Sequence, residues 1–270
     1  MEAKKLGYIL LIIFLGYVIS YFLPLEEYPI LVFADAFFAV IAFVAAIFCF
    51  STFKIYGKNS LEGKVWLMLT LGFIFWCGGE SLWAYYELVE GIYPFPSPAD
   101  IFYLLGYVPL CLAVFYSFYF MKVPFKKRKV GIALTLTIAY AALSGIFVLY
   151  PIAVSQESLF EKAVLLMYPL ADIFLIFGAS LLVEVFRGGG LSKTWLIISL
   201  AFLATGIADT LFSYLDWNGL YELGSPYDYI DFLWIFSYLL FIFGAYHERM
   251  SALSAIESAK ALRKKKRKKK

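Results

Sequence analysis

The chain of 270 residues is 63% hydrophobic, 20% aromatic and only 16% charged, with a mean hydropathy of +0.80. A soluble domain holds about 45–50% apolar and about 25% charged residues, so this composition excludes an ordinary soluble enzyme, a disordered chain, a collagen-like chain and a disulfide scaffold. The net charge of +3 conceals an asymmetry: residues 260–270 carry nine basic groups, and without them the body is net −6.

Eight apolar segments are long enough to cross a bilayer, which takes about 20 residues. They are 6–23, 29–53, 65–86, 100–121, 130–150, 162–186, 194–215 and 229–246. All read as helices, because an open strand in lipid leaves backbone polar groups unpaired. The first segment lacks a small-residue cleavage site before Glu26 and Glu27 and reads as a retained anchor. Lys4, Lys5, Lys54, Lys58, Lys64, Lys122, Lys126, Lys127, Arg128, Lys129, Arg187, Lys193, Arg249 and the tail fall on one side, with only Lys162 opposite. The positive-inside rule makes that side cytoplasmic, together with both termini. The outer loops are acidic, with Glu26, Glu27, Glu87, Glu90, Glu157, Asp216, Glu222 and Asp228. The expected class is an all-α, polytopic protein of the cytoplasmic membrane.

The sequence also repeats itself. The run from Lys64-Val65-Trp66 to Gly79-Glu80-Ser81-Leu82-Trp83 matches that from Lys193-Thr194-Trp195 to Ala208-Asp209-Thr210-Leu211-Phe212 at a constant offset of 129. Ser97-Pro98-Ala99-Asp100 matches Ser225-Pro226-Tyr227-Asp228, and after a three-residue insertion Tyr103 and Tyr107 match Trp234 and Tyr238. Upstream, Ala34-Asp35-Ala36-Phe37 resembles Ala171-Asp172-Ile173-Phe174. The reading is two parallel four-helix repeats, residues 1–122 and 123–250, followed by a basic cytoplasmic tail at 251–270. In duplicated membrane folds the site commonly lies where the repeats meet.

Carboxylates inside the spans carry the functional signal. Glu80 and Asp209 each lie sixteen residues, about 24 Å of helix, beyond the matched lysines Lys64 and Lys193. Asp35 and Asp172 occupy the second and sixth spans, and no basic residue stands at comparable depth. A charged group at mid-bilayer costs roughly 2.5–3.5 kcal/mol on insertion scales, so these four must face inward. There they are protonated, hydrogen-bonded, neutralised by a cation or placed in water. Asp100 and Asp228 follow Ser-Pro pairs and read as capping-box acids, with Asp231 nearby at the rim. Pro169 should kink the sixth span a turn before Asp172. Trp83, Tyr85, Tyr86, Tyr93, Trp217, Tyr221 and Tyr229 read mainly as an outer aromatic belt. Aromatic walls and carboxylates together would suit an organic cation.

The last span has no lysine for a Schiff base, and no metalloprotease, serine-hydrolase or phosphate-loop motif is present. No cofactor is expected. With one histidine and three cysteines that read as small buried hydrophobes, only oxygen ligands are available for a metal; these suit hard cations, and no metal is assigned.

The stretch Gly79-Glu80-Ser81-Leu82-Trp83 with Pro94-Phe95-Pro96-Ser97-Pro98-Ala99-Asp100-Ile101-Phe102-Tyr103-Leu104 and Tyr107 resembles the membrane-embedded input modules of bacterial diguanylate cyclase-type signalling proteins. That resemblance implies sensing, with a separate cytoplasmic partner supplying the output. The layout of eight spans, with acids in Gly79-Glu80 and Ala208-Asp209, also resembles the lysoplasmalogenase family, which implies ether-lipid hydrolysis with Glu80 and Asp209 as acid catalysts. The expected function is therefore ligand or cation binding in an acidic outer-half cavity by Glu80, Asp209, Asp35, Asp172, Asp231 and Trp83. An intramembrane acid hydrolase and a small-solute or cation transporter are the alternatives. The lipid bilayer is the first partner, with anionic headgroups at the tail; nucleic acid is not expected.

Overall fold

A computed structural model of the chain describes residues 3–24, 27–121, 126–186, 192–221 and 228–268. The readings that fall on Glu26, Lys122, Arg187, Glu222 and residues 225–227 lie outside these. The described residues form helices without strands, and eight helices are long and apolar enough to cross a membrane. They are α1 (Ala3–Ser20), α2 (Glu27–Tyr56), α3 (Leu61–Glu90), α4 (Pro98–Met121), α5 (Lys127–Val154), α6 (Leu159–Phe186), α7 (Ser192–Trp217) and α8 (Asp231–Lys268). The chain is thus a multi-pass membrane protein. Its apolar pattern is inverted accordingly: Ile12, Phe43, Ile138, Ile146 and Leu170 point outward and are more than half exposed, as lipid-facing side chains must be.

Six helices close into a ring, in the order α2, α3, α4, α6, α7, α8 and back to α2. The remaining two stand outside it, α1 against α8 and α5 against α6. Tyr140 of α5 also reaches α7, its hydroxyl donating to the Gly206 carbonyl at 3.0 Å. Thr52 of α2 donates to the Ala245 carbonyl of α8 at 2.9 Å and Tyr56 to Glu248 at 2.5 Å, which fixes the seam that completes the ring. Gly7 contacts Phe243, so the start of α1 shares this end of the bundle.

Between helices in lipid, close approach rather than the hydrophobic effect drives association. The α4–α6 seam depends on Gly178: a Cβ there would press on Val114 Cγ1, well inside van der Waals contact. Valine is stiff at χ1 and cannot swing aside. Gly178→Ala should therefore cost about 1–3 kcal/mol by overpacking. Thermal unfolding in detergent should record a lowered midpoint that Val114→Ala partly restores.

Three helices depart from the sequence reading. α3 ends in a π turn, Tyr86–Glu90, closed by Gly91 in the left-handed region (φ 66°), and α5 contains another at Gly145–Leu149. The last span does not stop at Tyr246; α8 runs on to Lys268. Residues 251–268 are mostly Ala, Ser, Leu, Glu, Lys and Arg without Gly or Pro, and so nothing breaks the helix. Its last 18 residues continue for about 27 Å and are largely exposed.

The ring is solid at the end where α3 and α7 begin. Trp66 of α3 meets Trp195 of α7 with ring centroids 6.3 Å apart. One level further in, Phe73 and Phe202 flank Phe241 at 4.7 and 4.9 Å. All five side chains are buried. At the other end the ring is hollow.

Candidate functional site

Seven-residue spacing on α3 and α7 builds the hollow. Trp66, Phe73, Glu80 and Glu87 follow one face of α3, and Trp195, Phe202, Asp209 and Asp216 the matching face of α7. Seven residues are nearly two full turns, so each set points the same way. The first two of each set make the plug and the last two line a cavity of about 570 Å³. Every ring helix contributes to its wall, whereas α5 contributes nothing and α1 only Tyr21 just past its end. Loop residues Tyr93, Phe95, Gly219 and Tyr221 form the mouth.

Eight carboxyl groups line this cavity: Asp35, Glu80, Glu87, Asp100, Asp209, Asp216, Asp228 and Asp231. Among the described residues, no Lys, Arg or His lines it. Uncharged aromatic donors stand where counter-ions would. Glu80 accepts from Tyr103 of α4 on Oε2 and from Tyr238 of α8 on Oε1, both at 2.8 Å. Asp209 accepts from Trp234 Nε1 of α8 on Oδ1 at 2.6 Å and is hydrogen-bonded to the Tyr107 hydroxyl of α4 on Oδ2. The two sets correspond: Tyr103 is matched in sequence to Trp234 and Tyr107 to Tyr238. Each deep acid therefore has one aromatic hydrogen-bond partner from its own half of the chain and one from the other half.

Nearer the mouth, Asp231 accepts from Tyr21 on Oδ2 and Tyr221 on Oδ1, each at 2.8 Å. Tyr93 donates to Asp216 at 2.6 Å, and Trp83 Nε1 to Glu87 at 2.8 Å. Burial first, and then the neighbouring carboxylate charge, pushes the phenols of Tyr21, Tyr93 and Tyr221 up from their ordinary value, so they remain donors throughout the physiological range. Asp100 caps its helix as the Ser-Pro pattern predicts, accepting from the Ser97 backbone N–H at 2.6 Å. Its other oxygen accepts from Tyr168 of α6 at 2.6 Å, and it lines the cavity as well.

Two of the sequence-picked acids are special cases. Asp172 is completely buried behind the wall and does not line the cavity. Its Oδ1 is hydrogen-bonded to the Tyr107 hydroxyl at 2.8 Å, its buried Oδ2 has no hydrogen-bond partner, and the Asp209 carboxyl stands close enough to interact with it electrostatically. Asp35 does line the cavity and is only 7% exposed, yet its buried Oδ2 has no hydrogen-bond partner. The charges it faces are those of Glu87 and Glu80 on α3 and Asp231 on α8.

No family model, curated protein or solved structure matches the chain.

The structure brings Glu80, Asp209, Asp35, Asp231 and Trp83 to one cavity and sets Asp172 directly behind it. Sequence reasoning missed Glu87 and Asp216 as wall residues, although the offset of 129 relates them just as it relates Glu80 to Asp209. Tyr93 and Tyr221, read as interfacial belt, line the mouth instead, while Tyr85 and Tyr229 are exposed. Among the described residues, no grouping of His, Cys, Asp and Glu could hold a metal ion. The carboxylates are interleaved with rings rather than gathered. All three cysteines are free thiols, Cys49 buried and the other two half-buried.

Proposed function

We propose that the chain is an integral membrane protein that binds a small organic cation in the ring cavity, reached from the end opposite its termini. The observation that carries this reading is a cavity that the described residues line with eight carboxyl groups and aromatic rings and with no basic residue. Such a wall creates a strongly negative potential that a bound cation neutralises. Aromatic faces such as Trp83 and Phe212 add cation–π attraction. Interleaving of acids with rings favours an organic cation over a metal ion, which needs several oxygens on one point.

The clustered basic residues put the termini in the cytoplasm by the positive-inside rule, so the mouth faces outward from the cytoplasmic membrane. The buried plug of Trp66, Trp195, Phe73, Phe202 and Phe241 makes the hollow a blind pocket, as suits a sensor. The exposed end of α8 would then meet a separate cytoplasmic partner, and its basic residues anionic headgroups. A carrier is the second reading. Matched donors on Glu80 and Asp209, and matched plug residues in contact across the ring, support a duplicated fold whose two halves share one site. For an acid hydrolase, Glu80 or Asp209 would have to present a proton to substrate. Both oxygens of each are already engaged by aromatic side chains, which favours binding over proton donation.

The test is calorimetric titration of the full chain in lipid nanodiscs with phenethylammonium and tetraethylammonium. Saturable binding of at least one is expected, with Glu80→Gln weakening it by about tenfold or more. If neither cation binds, the reading fails.

A further inference from the structure

The cavity wall is banded along its depth. Glu80 and Asp209 form an inner pair, and seven residues further along their helices Glu87 and Asp216 form an outer pair, about 10 Å away. All four line the cavity. Between the pairs, Trp83 and Phe212 approach each other to 6.1 Å across the ring. Phe95 and Trp234 pack on Phe212 at 5.3 and 5.7 Å, completing an aromatic collar. Along α3 and α7, from floor to mouth, the order is carboxylates, aromatic rings, carboxylates.

The geometry points to a linear aliphatic polyamine as the ligand. This rests on the organic-cation reading and narrows it. An ammonium at each end would meet one acidic pair, and the methylenes between would cross the collar. A metal ion cannot bridge acids this far apart, since its oxygen ligands lie about 2–2.6 Å from it. A ligand with one charge leaves one pair unneutralised. An extended chain advances about 1.25 Å per bond, given C–C bonds of about 1.5 Å, so spanning about 10 Å takes about eight bonds.

Asp35 adds an independent pointer. It is 93% buried by the complement of its 7% exposure, lines the cavity, and keeps a buried Oδ2 without a partner. An acceptor left in that state costs free energy until a donor arrives. Asp35 faces one acid of each pair, Glu87 and Glu80. A nitrogen carrying N–H groups would satisfy it; a quaternary ammonium has none to give. The ligand nitrogen that meets Asp35 is therefore a protonated amine and not a quaternary ammonium.

Three probes of graded charge and length test this on the unmodified chain in nanodiscs by calorimetry: octane-1,8-diamine, 8-amino-1-octanol and butane-1,4-diamine. The long diamine, whose nitrogens are nine bonds or about 11 Å apart, should bind about tenfold or more tighter than the amino alcohol. The short diamine cannot reach both pairs and should lose that advantage. Glu87→Gln combined with Asp216→Asn should bring the long diamine down to the amino alcohol's affinity. Equal affinity of the long diamine and the amino alcohol, or of the two diamines, overturns the polyamine inference and leaves organic-cation binding standing. If none of the three binds while phenethylammonium or tetraethylammonium does, the polyamine inference alone falls. If no cation binds at all, both readings fall.

Discussion

Tyr107→Phe is expected to destabilise the protein by about 3–5 kcal/mol, far more than the loss of an ordinary hydroxyl. Tyr107 is 4% exposed and its single hydroxyl serves two acids, Asp172 and Asp209. A phenol has one proton and an ionised carboxylate has none to give. The trio closes as a hydrogen-bonded set only when one of the aspartates brings a proton of its own. Removing the hydroxyl leaves Asp172, completely buried, without the donor that Tyr107 supplied and with the Asp209 charge nearby. Tyr238 supplies the control, because it is equally well buried and serves one acid, Glu80. Thermal unfolding in detergent should rank Tyr107→Phe clearly below Tyr238→Phe. Adding Asp172→Leu to Tyr107→Phe should recover part of the loss, because it removes the stranded carboxyl group. A double-mutant cycle with a coupling near zero would mean that the trio does not act as a unit.

That trio also marks where sequence reasoning reached its limit. Eight spans were legible because lipid demands long apolar runs, and the offset of 129 was legible because duplicated residues keep their spacing. Both signals are local in the chain. The pairing of Tyr107 with Asp172 and Asp209 joins residues 65 and 102 positions apart and leaves no periodicity to read. Glu87 and Asp216 sit at span ends, where solvated charge is the ordinary expectation, and only the ring geometry turns them inward. Asp172 is completely buried, but depth along a helix does not fix the direction a side chain faces. Order around a ring is likewise invisible to hydropathy: α4 meets α6, not α5, and α5 is left outside. Asp100 illustrates the reverse case, in which a capping role was readable from Ser97-Pro98 and a second role in the wall was not.

Asp35→Asn is expected to stabilise the ligand-free protein while weakening ligand binding. Asp35 is the costly member of the wall: its buried oxygen lacks a donor, and the charges of Glu87, Glu80 and Asp231 all oppose its own. The isosteric amide removes that repulsion and brings N–H groups that can donate to the neighbouring carboxylates. A gain of about 1–3 kcal/mol follows from relieving an unpaired buried polar group. The same change removes the charge that draws an ammonium inward, so cation affinity should fall by about tenfold or more. Opposite signs on stability and binding are the signature of a residue kept for function at the expense of fold. A merely structural Asp35 would move both in the same direction. Melting curves without ligand, set beside calorimetric titration of the same preparations, separate the two cases. A lower melting temperature with unchanged affinity for every cation that the unmodified chain binds would remove Asp35 from the site.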